Sequence, residues 1–195
     1  MAGVSVAGMF ATPASPSDVP AWAHERPEIH PPDPKWATRG SDLCAQVARL
    51  LAPWLAPGQV EHVGSTAVPG LAAKPVLDVM APMRDLSPST VSAVVPVLSA
   101  DGWCFVPPSL DVAAPWRRFF VLPDASGLRR VAHLHLLPEG HPRWHAQLRF
   151  RDALRADPGL AAEYAEVKRR LAGEVTDREE YTAGKTDFVR RGLGG

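Results

Sequence analysis

The sequence predicts an α+β domain, in which a mixed β-sheet with flanking helices is followed by a C-terminal helical bundle. The middle of the chain carries short apolar runs of the β type between turns, with one helical segment among them. The last third has apolar residues at helical spacing. With 195 residues, of which 46% are hydrophobic and 22% charged, the chain is large enough for one globular domain with a core.

The domain is predicted to follow an N-terminal tail. Residues 1–33 are rich in proline, alanine and serine and have no usable period, so we expect them to be mostly disordered. A single domain is expected over residues 34–192, with its sheet core at about 58–137 and its C-terminal helices at about 140–191.

The sheet region is predicted to begin after one helix. That helix is expected from Pro34 or Lys35 to Ala56, because apolar residues recur along one face before Pro57-Gly58 ends the pattern. The expected strands are Val60–Val63, Pro75–Met80, Trp103–Val106, Arg117–Leu122 and Val131–Leu137. The last two are expected to pair as a hairpin around residues 123–127.

The other helices follow from caps and spacing. Ser87 precedes Pro88, a favoured helix start, and the apolar pattern continues to Ala100. The C-terminal helices are expected at Pro142 to about Ala156, Pro158 to about Val175, and Asp177 to about Arg191.

The bulk composition limits the classes of partner. Lys plus Arg and Asp plus Glu number 21 each, so no global charge favours nucleic acid or an anionic membrane. Cys44 and Cys104 stand in apolar settings and are interpreted as buried free thiols, which fits a reducing cytoplasm. No run approaches the roughly 20 apolar residues of a membrane span, and the start lacks the charged region of a signal peptide. We therefore expect a cytoplasmic protein with a small-molecule or nucleotide ligand.

One stretch, residues 61–80, combines polar groups suited to a phosphate and metal pocket. Gly64 allows close backbone approach, while Ser65 and Thr66 offer hydroxyl and amide donors. Lys74 supplies a positive charge, and Asp78 interrupts an apolar strand, where a carboxylate needs a partner. The alternative is a tight turn plus a capping aspartate. No Gly-Lys-Ser/Thr follows the turn, which disfavours P-loop chemistry.

Two histidines alternate on a predicted strand. His133 and His135 therefore point to one face of the sheet, where they could bind a metal or contact phosphate. The alternative is a hydrogen-bonded pair on a half-covered sheet. Since His62 and Glu61 flank the glycine turn, one of them is expected to face the same side as the turn's ligand.

Three further residues are candidates for contacts with a substrate. Arg118 on its strand could bind phosphate or carboxylate, or could be an edge arginine in solvent. Tyr181 and Lys185 share a helix face and would reach a ligand only if the helices close over the sheet. Nucleophilic catalysis is poorly supported, because no Gly-x-Ser-x-Gly elbow is present.

These motifs, in this order, closely resemble the GrpB family over roughly residues 29 to 190. The resemblance rests on residues 61–79, together with Asp33-Pro34-Lys35-Trp36, Arg117-Arg118-Phe119-Phe120, His133-Leu134-His135, Leu148-Arg149-Phe150-Arg151-Asp152, Glu163-Tyr164, Leu171-Ala172 and residues 181–185. It implies a nucleotidyltransferase-like fold, similar to the polymerase β palm.

The resemblance also implies a function and a set of roles. Gly64, Ser65, Thr66 and Lys74 would hold the phosphates of a nucleoside triphosphate, and Asp78 would hold Mg²⁺. Arg118 would stabilise developing charge, while His62, Tyr181 and Lys185 would serve the acceptor side. His133 and His135 would stand near the position of the superfamily's third carboxylate and are further catalytic and metal-ligand candidates.

The resemblance leaves catalysis open. Met80 occupies the position of the superfamily's second carboxylate and cannot bind a cation. Three hypotheses follow. The leading one is a nucleotidyltransferase-like enzyme that moves a nucleotidyl group from a nucleoside triphosphate, with Mg²⁺, to a small acceptor. The second is a non-catalytic nucleotide-binding or folding-assistance module, and the third is a metal-dependent enzyme centred on His133 and His135.

Overall fold

A mixed β-sheet forms the centre of the computed structural model, which describes residues 20–26, 28–174, 184 and 188–189. Its strands are β1 (Glu61–Val63), β2 (Leu77–Met83), β3 (Cys104–Val106), β4 (Arg118–Pro123) and β5 (Arg130–Pro138). Their spatial order is β1-β2-β5-β4-β3. β2 and β5 pair in parallel and the other neighbours pair antiparallel. The mixed sheet and the predicted hairpin of β4 with β5 are confirmed.

Four α-helices accompany the sheet within the described residues. They are α1 (Lys35–Leu51), α2 (Pro88–Ala100), α3 (Pro142–Ala156) and α4 (Pro158–Glu174). α1 and α2 cover one face of the sheet, where alternate β2 residues such as Val79 and Ala81 pack with Val47 and Leu98 in the main core. Alternation along a strand leaves the intervening residues, including Asp78, on the opposite face.

The opposite face is covered in two parts. On the β1 side, Val63 and Met80 pack with Trp144 and Leu148 of α3. On the β3 and β4 side, buried Trp22 packs against Phe119 and Val121. Asp78 lies between the part of this face that α3 packs against and the part that Trp22 packs against. A narrow strip of the sheet around Asp78 is therefore available for a site.

Most predicted elements agree with the structure, and α1 shows where one differs. Its apolar face was predicted to continue to Ala56, but the helix ends at Leu51. Ala52 still has helical dihedrals, but Pro53 follows it and has no backbone N–H with which to continue the helical hydrogen bonds. The apolar residues Trp54 and Leu55 still pack against the main core from a turn.

The described part of the predicted tail is folded against the sheet. Residues Ala21–His24 form a 3₁₀ turn that places Trp22 in contact with the sheet. Backbone hydrogen bonds in both directions then join His30 to Ala73. These residues therefore differ from the expectation of disorder, because a tryptophan in a proline-rich segment supplied enough apolar surface to pack.

Most of the predicted helix from Asp177 to about Arg191 lies outside the described residues, as do the candidate residues Tyr181 and Lys185; the described residues within it, 184 and 188–189, are helical. Among the described residues, no helix combines the length and the apolar character needed to cross a membrane. Cys44 and Cys104 are free thiols, each half-buried.

Candidate functional site

The structure brings a carboxylate and two imidazoles together on the free strip of sheet. Asp78 lies directly opposite His133 in the parallel β2–β5 pair, and Met80 lies opposite His135. The Asp78 Oδ1 atom is 2.9 Å from His133 Nδ1 and 3.6 Å from His135 Nε2. One potential ligand atom from each residue falls within 4.8 Å of the other two. Of the described residues, these three form the one group of this kind.

The three side chains are partly enclosed. The Asp78 side chain is 31% exposed and each histidine is 16% exposed. The Phe119 ring of β4 packs on both imidazoles, with centroid distances of 5.2 Å to His133 and 5.1 Å to His135. An apolar wall on one side and limited solvent on the other strengthen electrostatic interactions at this cluster.

Arg117 extends the cluster beyond the strands. Its Nη1 group lies 2.6 Å from His135 Nδ1, and its guanidinium carbon lies 4.4 Å from the centre of the Phe119 ring. Asp111 holds the same guanidinium through two hydrogen bonds of 2.8 and 2.7 Å. Because a guanidinium only donates, His135 Nδ1 accepts, and the ring proton lies on Nε2, facing Asp78.

The charge states at neutral pH follow from burial and these contacts. Burial opposes ionisation of Asp78, but the hydrogen bond from His133 and the nearby His135 imidazole outweigh it and hold the pKa of Asp78 well below its ordinary value. Burial lowers the pKa of His133 to about 4, although Asp78 acts in the opposite direction. Burial also lowers the pKa of His135. The cluster therefore consists of one carboxylate and two neutral imidazoles.

One atom in the cluster has an unsatisfied lone pair. His133 donates from Nδ1 to Asp78, so its Nε2 carries no proton. This Nε2 is buried and has no hydrogen-bond partner among the described residues. Buried polar atoms without partners are uncommon in folded proteins and indicate an additional ligand, ion or water.

The buried histidine makes the fold acid-sensitive. Between pH 6.5 and about 4, an unfolded chain binds a proton at His133 that the folded chain does not bind, so the unfolding free energy falls as the pH decreases. The loss across this range is on the order of 2 to 3 kcal/mol by the shift alone. Urea unfolding of metal-free protein between pH 7.5 and 4.5 measures it.

The variant that tests this pH dependence is His133→Gln, which removes this titrating group and should make the curve less steep, with a smaller dependence left from the lowered pKa values of His135 and His62. His145→Gln changes an exposed histidine and should leave the dependence unchanged. An unfolding free energy that stays constant between pH 6.5 and 4.5 in the parent protein would contradict a buried neutral His133.

The glycine turn reaches Asp78 as well. Gly64 has φ 71° and ψ −170°, and a Cβ atom built on it would lie 2.4 Å from Asp78 Oδ2. Ser65 follows at the start of a short 3₁₀ turn. The next residue, Thr66, is buried, donates to the Val76 carbonyl oxygen and contacts His62 Nε2 at 3.0 Å. Thr66 therefore fixes the turn, while Gly64 borders the cluster.

Lys74 has another partner. Its Nζ lies 3.3 Å from Glu25 Oε2, in the N-terminal segment. It also lines a depression of about 230 Å³, together with charged residues that include Glu28, Arg39 and Arg129. Asp78, His133 and His135 are not among the residues that line this depression. The predicted role of Lys74 as a phosphate ligand thus gains no support from its position.

His62 and Arg118 point away from the cluster. His62 pairs with Val79, whose side chain lies in the core beneath α1, and the His62 imidazole packs so closely on Gly40 that a Cβ there would clash. Arg118 pairs with Leu136, also on the α1 face, and bonds to carbonyl oxygens of residues 115 and 117. Strand alternation thus separates both residues from Asp78, and Arg117 is the arginine at the site.

Comparison with known proteins shows which family the chain belongs to. It matches the family described as GrpB protein over residues 26–194. A UPF0157 protein of Pseudomonas aeruginosa is 38% identical over 175 residues, which cover 87% of this chain and 67% of that protein. The UPF0157 protein YqkA of Bacillus subtilis is 33% identical over 67% of this chain, a region that spans 36% of the relative's length.

Two further matches are a relative that is named as an enzyme and a solved structure. A dephospho-CoA kinase of Mycolicibacterium paratuberculosis is 31% identical over 82% of this chain, and the match spans 43% of that protein. The crystal structure of conserved protein GrpB from Enterococcus faecalis has a TM-score of 0.71 and 23% identity, covering 85% of this chain and 97% of that chain. The latter shows a shared fold. By the family match and the identity to its relatives, the chain belongs to the GrpB protein family.

Proposed function

We propose that this protein is a metal-dependent enzyme whose metal ion is held by Asp78, His133 and His135. The observation that carries the proposal is their convergence, with one potential ligand atom from each within 4.8 Å of the other two. Their protonation adds support. Metal ligands must be deprotonated carboxylates and neutral imidazoles, and the pKa shifts favour these forms at neutral pH.

The distances suit one small divalent ion. Two ligand atoms that each lie about 2.1 Å from a tetrahedral metal are separated by roughly 3.4 Å. The separations of 2.9 Å and 3.6 Å between Asp78 Oδ1 and the two imidazole nitrogens bracket this value. A metal can thus replace the protons between the same atoms with small side-chain movements.

The donor set favours a transition metal. Two imidazoles and one carboxylate suit Zn²⁺, Mn²⁺, Fe²⁺ or Co²⁺, whereas Mg²⁺ prefers oxygen ligands and retains several waters. Three protein ligands leave coordination positions open, and a metal with open positions can activate water or polarise a substrate oxygen. We therefore propose such a metal in place of the Mg²⁺ expected from the sequence.

Titration of metal-free protein with individual metals tests the proposal. We expect one equivalent of Zn²⁺, Mn²⁺ or Co²⁺ to bind and raise the melting temperature, because a ligand that binds only the folded state stabilises it. Mg²⁺ should bind at least about tenfold more weakly. The measurements are isothermal titration calorimetry and thermal unfolding. If none of the transition metals bound in the micromolar range, a metal-dependent function would lose its basis.

A nucleotide-binding function is the second candidate. The observation in its favour is the contact of the Gly64 turn with Asp78, which sets a turn and a carboxylate side by side. The relative named dephospho-CoA kinase is a second support, over the 43% of that protein that the match spans. The positions of Lys74 and Arg118 and the presence of Met80 weigh against full nucleotidyl transfer with Mg²⁺.

Nucleotide titration separates the two candidates. If ATP or GTP bound only with Mg²⁺, and pyrophosphate appeared with a small acceptor, the nucleotidyltransferase-like enzyme would be favoured. Binding without pyrophosphate release would favour the non-catalytic or folding-assistance module. Transition-metal binding without nucleotide binding would leave the histidine-centred enzyme.

A further inference from the structure

A group of hydrogen-bond donors surrounds Trp116, beside the Asp78 cluster. The guanidinium carbons of Arg117 and Arg143 each lie 5.6 Å from the centre of the Trp116 ring. The His141 ring stacks on the same indole at 5.4 Å, with 20° between the planes. Three side chains that carry N–H groups thus meet on one aromatic residue.

Arg117, His141 and Arg143 each have N–H groups that remain available to donate hydrogen bonds to a ligand. Arg117 has five N–H groups, and its contacts with Asp111 and His135 use three of them. The His141 Nδ1 accepts from the Arg143 backbone N–H at the start of α3, so the imidazole proton lies on Nε2. Arg143 is exposed and forms no ion pair with any carboxylate of the described residues.

The charge of the group is positive. Asp111 neutralises Arg117 through a two-point ion pair, while the charge of Arg143 has no such counterpart within the described part of the chain. Arginine forks match the oxygens of phosphate groups, and an indole surface holds the guanidinium planes in place. The chemistry that fits is an oxyanion with several acceptor oxygens.

We propose that Arg117, His141 and Arg143 form an anion site that binds the phosphate groups of the substrate. The inference rests on the proposed function, because it assigns this site to the substrate of the same enzyme. Arg117 links the two sites, since it contacts His135 of the metal cluster on one side and Trp116 on the other. A phosphate on this site would share Arg117 with the metal cluster.

Pyrophosphate binding to metal-free protein tests this site. We expect calorimetry at low ionic strength to show one binding event, weakened at least about tenfold by Arg143→Gln, because a charge-assisted contact is lost. Arg149→Gln, the matched control on the same helix α3, removes an equal charge at an exposed position and should change the affinity less than about twofold.

The outcomes separate this inference from the proposed function. Equal pyrophosphate affinities for the Arg143→Gln and Arg149→Gln proteins, or no pyrophosphate binding by the parent, would overturn the anion site even if transition metals bind. Since Arg143 is exposed, both variants should fold. If the parent bound transition metals only weakly, but Arg143→Gln selectively lost pyrophosphate binding, the anion site would be supported and the proposed metal-dependent function would be rejected.

Discussion

Replacement of Asp78 by asparagine is expected to reduce transition-metal affinity by more than about a hundredfold, since loss of even an outer-shell partner typically costs 10- to 100-fold. Asp78 supplies the single negative charge among the three proposed ligands. Asparagine has nearly the same shape, and its carbonyl oxygen can still accept the hydrogen bond from His133 Nδ1. The metal-free fold should therefore persist, and the effect should fall on binding.

Calorimetric titration of the Asp78→Asn protein with Zn²⁺ or Mn²⁺ measures this effect, and circular dichroism checks the fold. The matched control is Asp42→Asn, which makes the same chemical change at an exposed position of α1. Metal affinity should be unaltered in the control. If the Asp78→Asn protein retained metal affinity within about threefold of the parent, Asp78 would not be a ligand.

The sequence predicts two of the three residues of this cluster directly. His133 and His135 alternate within an apolar strand, so their shared face followed from strand geometry alone. Asp78 could be singled out as a carboxylate in an apolar run, but its contact with His133 depends on the parallel pairing of β2 with β5. These residues are 55 positions apart. The sequence pattern contains no direct information on which strands become neighbours.

The choice between Arg117 and Arg118 shows a different limit. Phe119 and Phe120 are both apolar, so alternation could not indicate which of them faces the histidines. The register places Phe119 opposite His135 and therefore turns Arg118 to the other face. Arg117, just before the strand, is free of this alternation and reaches His135. The contact of Arg117 with Asp111 could not be predicted either, because Asp111 lies in an irregular loop.

The partner of Lys74 could not be predicted from a local sequence pattern either, because it lies far away in the sequence. Its partner, Glu25, belongs to the segment that composition predicted to be disordered. Trp22 holds that segment on the sheet, with its indole beneath the Arg130 guanidinium at 5.2 Å. Compositional rules average over a window, and one buried aromatic residue is enough to make part of such a window fold. The elements were thus predictable from local patterns, whereas the partners of charged groups depended on tertiary contacts.

Gly64→Ala is expected to destabilise the protein by about 3 kcal/mol or more and to weaken metal binding in the same variant. Two causes combine. The backbone at φ 71° and ψ −170° belongs to a region that is essentially restricted to glycine. The added Cβ would also lie 2.4 Å from Asp78 Oδ2 and 3.1 Å from Asp78 Cγ. The carboxylate cannot rotate away cheaply, since His133 and His135 hold it.

Gly70→Ala is the matched control for this prediction. Gly70 has a similar positive φ of 75°, but a Cβ there would meet nothing within 4 Å. It should show the backbone strain alone, on the order of 1 kcal/mol, with unchanged metal affinity. Urea unfolding and metal titration of both variants separate strain from the contact with Asp78. Equal losses of stability and equal metal affinities in the two variants would mean that Asp78 moves freely, and that the glycine turn does not position the carboxylate.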